Sequence, residues 1–151
     1  MHNNKFLNKK QARAILDLLK KQWDCEIELD YVFMLSDKDK VYIVNRDIER
    51  IDLSKLRINS LGMYLGEIKH NEIRLTIEGA QLIGPHAKKN IIELDDKEAR
   101  LWLKGYDIEK EATAQGFVII KHNNDFLGSG RYKEGKISNF VPKTRRIMAT
   151  D

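Results

Sequence analysis

Between Asn8 and Trp23 the apolar residues Ile15, Leu16, Leu18, Leu19 and Trp23 fall on one helical stripe, and Lys9, Lys10, Arg13, Lys20 and Lys21 lie mostly elsewhere. That spacing predicts an amphipathic helix with Asn8 as its N-cap, its lysines forming a solvated face. The period then shortens. Residues 31–35 and 41–44 are apolar runs joined by a polar turn, Ser36-Asp37-Lys38-Asp39-Lys40, which predicts two paired strands for the helix to lie on. Residues 46–56 carry Ile48, Ile51 and Leu56 at roughly helical spacing and predict a short helix with an irregular exit. Residues 62–68 and 72–77 predict a second pair of strands around Lys69-His70-Asn71.

Near Thr76 the pattern changes without any flexible linker, so a boundary is expected there, between domains at residues 1–75 and 76–151 packed on each other. Residues 77–83 read as a short helix stopped by Gly84 and Pro85. A strand over 90–94 follows, and Asp95 with Glu98 forms a capping box for a helix through Leu103, ended by Gly105. Residues 106–108 pair briefly. Phe117-Val118-Ile119-Ile120, a turn at 122–125 and residues 126–132 read as a hairpin, followed by strands at 137–141 and 145–148. Five or six short strands with two short helices form the pattern of a small β-barrel. The fold class is α+β: an N-terminal α/β domain, its sheet mixed or antiparallel with helices, packed on a C-terminal β-barrel. Gly128 and Gly130 suit a β-bulge or barrel corner, since no helix follows them and no Gly-x-Gly-x-x-Gly pattern is completed.

Charge sharpens this picture through its distribution. The net charge of +4 is unremarkable, but residues 92–115 hold seven acids against four bases, and residues 128–146 hold six bases against Glu134 alone. A positive and a negative side are expected, and a polyanion is steered to the positive one. Arg131, Lys133, Lys136, Lys143, Arg145 and Arg146 interleave with Tyr132 and Phe140. Cations take phosphates and ring faces take bases, so the pattern points to RNA, although aromatics in short strands also serve as core. The acidic stretch supports a second reading, a protein-interaction adaptor.

Several chemistries are excluded by what is missing. Cys25 is the single cysteine, so neither an internal disulfide nor a cysteine zinc site closes within one chain. His2, His70, His86 and His122 are scattered with no i, i+4 pair, and no serine sits in a Gly-x-Ser-x-Gly elbow. No enzymatic activity, metal or cofactor is therefore expected. The N-terminus lacks an apolar signal core and no apolar run approaches a membrane span, which makes the cytoplasm the default location and a membrane no partner.

The second half resembles a PUA domain, the RNA-binding module of pseudouridine synthases and archaeosine transglycosylases. The carrying residues are Gly79-Ala80, Gly84-Pro85, the strand from Phe117, and Phe126-Leu127-Gly128-Ser129-Gly130-Arg131. In the first half, Asp39-Lys40-Val41-Tyr42-Ile43-Val44, Ser60-Leu61-Gly62-Met63-Tyr64-Leu65-Gly66-Glu67-Ile68, and Gly84-Pro85-His86-Ala87-Lys88 resemble small ribosome biogenesis factors built from a pre-PUA and a PUA domain. That resemblance implies a non-catalytic factor in large-subunit precursor RNA processing, with other assembly proteins as partners. Leu127-Gly128-Ser129-Gly130 and Asn139-Phe140-Val141-Pro142-Lys143 are also similar to the C-terminal accessory domain of ribosomal RNA cytosine-C5 methyltransferases of the NOL/NOP/Sun type. Such enzymes need a Rossmann domain and catalytic cysteines, for which 151 residues and Cys25 leave no place. The PUA resemblance implies RNA contacts around residues 84–89 and 143–147. With the charge map it nominates Lys88, Lys89, Arg131, Tyr132, Lys133, Lys143, Arg145 and Arg146.

Overall fold

The computed structural model describes residues 5–27, 31–45 and 62–147; the short helix expected over 46–56 falls outside them. Helix α1 (Lys9–Trp23) starts as its sequence asks. The Asn8 side chain accepts from the Gln11 amide at 2.8 Å, and the Gln11 side chain accepts in return from the Asn8 amide at 3.0 Å. This box satisfies two amides that a helix start leaves unpaired. The buried stripe is Ile15, Leu19, Gln22 and Trp23, with Leu16 and Leu18 half-buried. Gln22 is tolerated there because its amide group both donates to the Ile73 carbonyl (2.9 Å) and accepts from the Ile73 N–H (2.7 Å).

The helix lies on an antiparallel meander of β1 (Lys5–Phe6), β2 (Tyr31–Leu35), β3 (Lys40–Asn45), β4 (Gly62–Lys69) and β5 (Glu72–Leu75). Strand alternation brings Phe33, Val41, Ile43, Leu65, Ile73 and Leu75 into one cluster with the α1 stripe. Val32, Met34 and Val44 gather separately with Phe6 and Tyr42.

Thr76 then caps α2 (Ile77–Ile83), accepting from the Gly79 amide at 2.9 Å. Gly84 and Pro85 do not stop the chain as expected. It runs on into a 3-10 turn over Gly84–His86, with Gly84 at an ordinary φ of −49°. Gly84 is needed for space, since a β-carbon there would sit 2.5 Å from Cε1 of Phe126.

The second sheet takes β6 (Ile91–Glu93), β7 (Ile108–Glu109), β8 (Gly116–His122), β9 (Asp125–Lys133) and β10 (Lys136–Asn139) in the order β6-β8-β9-β10-β7, with β6 parallel to β8. Helix α3 (Asp96–Leu103) carries the expected Asp95/Glu98 box. The sheet curls around Ile92, Leu94, Trp102, Val118, Ile120 and Ile137. A closed barrel is expected from the sequence; what forms is a half-barrel, because β6 and β7 are edges that do not pair. Lys110 spans the gap instead, its Nζ donating to the Glu93 carbonyl at 2.7 Å and to Glu98 Oε1 at 2.8 Å. Opposite Ile120 and Lys121 the β9 register skips Leu127, a bulge that Gly128 permits at φ +111°.

The strand expected over 145–148 is absent from the described residues. Both edges of β10 are already taken, by β9 and β7, and Pro142 leads into a 3-10 turn over Lys143–Arg145. Ile147 keeps one backbone bond, to the Leu103 carbonyl at 3.0 Å.

Strand β8 joins the two sheets' interiors. Phe117 and Ile119 belong to the cluster under α1, whereas Val118 and Ile120 belong to the half-barrel. A strand buried on both faces reads as an unbroken apolar run, which is what residues 117–120 are.

Candidate nucleic-acid interface

Two grooves of about 450 Å³ each open where the first sheet and α1 meet the second sheet. The first is lined by Lys21 and Gln22 of α1, Glu72 of β5, Lys89, Asn90, residues 115–117, and Arg131, Tyr132 and Lys133 of β9. Its walls are fastened by the end of α1. The Trp23 carbonyl accepts from the amides of Lys88 and Lys89 (2.8 and 3.3 Å), and the Gln22 carbonyl accepts from Asn90 Nδ2 at 2.6 Å. These bonds satisfy carbonyls that a helix end leaves free, and they bring Lys89 beside Lys21's turn.

Strand alternation sorts the β9 residues. Arg131 and Lys133 point outward, two positions apart, and Tyr132 points inward. Tyr132 is therefore removed from the expected base-stacking set. It is 8% exposed within the half-barrel core, and its hydroxyl donates to the Lys110 carbonyl and accepts from the Ala112 amide, both at 3.0 Å. The Arg131 guanidinium rests over the Phe117 ring, 5.5 Å from its centroid.

The second groove is lined by Tyr64 of β4, Arg74 and Leu75 of β5, Thr76 to Glu78, Gly128 and Ser129 of β9, and residues 139–146. Ser129, buried in the wall, donates to the Leu75 carbonyl at 2.6 Å. Asn139 sets the course of the chain beyond β10. Its Nδ2 donates to the carbonyls of Trp102 (2.8 Å) and Tyr106 (2.9 Å), and its Oδ1 accepts from the Val141 amide at 2.7 Å.

The cations of this groove differ in availability. Arg145 pairs with Glu78 at 2.7 Å, both side chains nearly half exposed. Burial pushes the Glu78 carboxyl up, but hydrogen bonds from Arg145 and the backbone, together with the Arg145 charge, outweigh it and hold the carboxyl below its usual range. Arg146 donates from Nε to the Val141 carbonyl at 3.0 Å and lies against Gly105. Lys143 is exposed and makes no ion pair among the described residues. Arg74 lies over the Phe140 ring, 5.0 Å from its centroid, with a long contact of 3.4 Å to Glu67.

Of the eight nominated residues, Lys89, Arg131, Tyr132 and Lys133 line the first groove, and Lys143, Arg145 and Arg146 the second. Lys88 lines neither. Its charge acts on Cys25, whose thiol burial pushes up against it, and on Glu26. Sequence reading missed Lys21, Tyr64 and Arg74, which come from the first half. Lys21 was visible there only as a surface lysine.

Acids of the 93–111 stretch are largely engaged internally. Asp96 meets His122 Nε2 at 2.7 Å, Glu98 meets Lys110, Glu93 accepts from the Asn123 amide at 3.0 Å, and Asp107 meets Lys136 at 3.4 Å. Among the described residues no three His, Cys, Asp or Glu side chains group as a metal site requires, and no described helix is long and apolar enough to cross a membrane.

A curled half-barrel carrying outward cations is matched by the comparisons in kind: residues 89–147 match the family model of the PUA domain of methyltransferase RsmF. The particular relatives are full-length enzymes. The chain is 30% identical over 141 residues to a ribosomal RNA small subunit methyltransferase F of Vibrio cholerae serotype O1, covering 93% of this chain and 29% of that one. It is 27% identical over 136 residues to the protein of that name from Vibrio vulnificus, covering 90% and 28% respectively. With the one from Aeromonas hydrophila it shares 28% over 106 residues, covering 70% and 22%. The chain thus spans less than a third of the length of these curated relatives. The matches support a PUA domain of the RsmF type and not the biogenesis-factor family. They also run through the first half, whose segments the sequence reading assigned to those factors.

Proposed function

We propose that this chain is an RNA-binding unit of the kind that accompanies the catalytic part of a ribosomal RNA methyltransferase, and that it holds single-stranded or looped small-subunit ribosomal RNA. In this reading it supplies contacts and not methyl transfer. It is organised as two units dividing near residue 76, the second one carrying the PUA domain.

The observation that supports the reading is electrostatic. Each groove presents four cations against one carboxylate: Lys21, Lys89, Arg131 and Lys133 against Glu72, and Arg74, Lys143, Arg145 and Arg146 against Glu78. Phosphates neutralised there release counterions, and bases free of a duplex are offered for contact.

Fluorescence anisotropy with a labelled fragment of small-subunit ribosomal RNA is the test. About four phosphate contacts to a single strand give a log–log salt slope near −3. Replacing Lys143, Arg145 and Arg146 together by Ala is expected to weaken binding and flatten that slope by about 2. Unchanged affinity in this variant, and in Arg131→Ala with Lys133→Ala, would remove the site.

A further inference from the structure

Both grooves are composite, each taking walls from the first half of the chain as well as from the second-sheet half. They also abut. Glu72 and Arg74, two positions apart on β5, line the first and the second groove respectively. Phe117 lines the first groove and Phe140 the second, and their rings are 6.1 Å apart between centroids.

On this ring pair rest two guanidiniums, Arg131 on Phe117 and Arg74 on Phe140. The four side chains form a column: cation, ring, ring, cation. A ring face holds a guanidinium flat without occupying its N–H donors, so the donors stay available to phosphate oxygens. Arg131 has no carboxylate partner among the described residues, and that of Arg74 is distant at 3.4 Å. The column therefore stands between the grooves as a ridge with a phosphate-binding head on either side.

We infer that the two grooves are one RNA track crossing this ridge, so that Lys21 of α1 and Arg74 of β5, from outside the PUA-type segment, contact the same RNA strand as Arg131 and Lys143. The inference rests on the RNA-binding reading and deepens it. The binding surface belongs to both halves jointly, and the first half is part of the site.

The test uses the whole chain and an unstructured 12-nucleotide RNA, a length within the range of about 4–16 nucleotides that single-strand-binding folds cover. Lys21→Ala removes an exposed side chain that makes no ion pair among the described residues, so its fold is safe. Arg74→Gln is read alongside its melting temperature, and Arg74→Lys supplies a second variant that keeps the charge and loses the flat stack. The expected result is one RNA per chain, with affinity reduced several-fold by Lys21→Ala and by Arg74→Gln, and the salt slope flattened by about 0.7 in each. Arg74→Lys restores the slope but not the full affinity.

Unchanged affinity and slope in either Lys21→Ala or Arg74→Gln overturns the track, as does a stoichiometry of two RNAs per chain. If the Arg131 and Lys143 variants still weaken binding in that case, the RNA-binding reading survives without the first half. If they too bind normally, both readings fall.

Discussion

Arg145 and Glu78 form the contact through which one residue most directly opposes the proposed binding. A carboxylate 2.7 Å from a guanidinium competes with any phosphate for it. Glu78→Gln is therefore expected to raise RNA affinity modestly in the anisotropy assay, where a purely structural pair would leave affinity flat or lower it. The pair also has a pH signature. Because the folded carboxyl lies below its usual value, its stabilisation is present above the unfolded pKa and is lost as pH falls through the lower folded one. Urea midpoints measured across the acid range should fall less steeply in Glu78→Gln, by a small amount because the pair is half solvated. At Gly79 the constraint is steric: a methyl there would run into the Leu65 backbone carbonyl, which has no rotamer to escape through. Gly79→Ala is expected to cost about 1–3 kcal/mol in denaturant unfolding. Residue-scale features with local causes were legible in the sequence. Asn8 with Gln11 and Asp95 with Glu98 cap helices through partners three positions away. Lys21 and Arg74 were not legible as site residues, because their neighbours in the grooves arrive from 50 or more positions along the chain.

Among the elements, the segment after β10 carries the second groove and departs furthest from its sequence reading. Ile147 and Met148 after a proline suggest a strand, but a strand needs an open edge, and β7 has taken the one β10 offers. Asn139 holds the resulting turn in place by bonding across to the end of α3 and the segment after it. Asn139→Ala strands the buried acceptors and frees residues 140–146, so a loss of about 1–3 kcal/mol in stability is expected. RNA affinity should fall with it, although no cation has been removed. Equal affinity in a folded Asn139→Ala protein would show that the turn does not position the cations. Tyr132 illustrates the converse. Its place among cations suggested stacking, and the period-two alternation that sends Arg131 and Lys133 outward is what sends it in.

At the scale of the molecule, the two halves share an interior strand, and this predicts a single unfolding transition. Trp23 reports on the cluster under α1 and Trp102 on the half-barrel core, both fully buried. In Trp102→Phe and Trp23→Phe variants the remaining tryptophan's fluorescence midpoint in urea should coincide with the far-UV circular dichroism midpoint of the same variant. Separate midpoints would mean that each half melts alone. The α+β class and the order of elements were readable from periodicity, since both arise within single segments. How far the second sheet closes was not, because closure depends on whether two distant edges meet, and β7 has just two residues to offer.

Strand β8 also limits where the chain tolerates insertions and deletions. Its odd and even positions face different interiors, so adding or removing one residue between Phe117 and Ile120 exchanges the occupants of both at once. Neither cavity would receive the volume it was shaped for. Length variation among natural versions of this protein should therefore collect in turns such as Asn123-Asn124 and avoid these four positions.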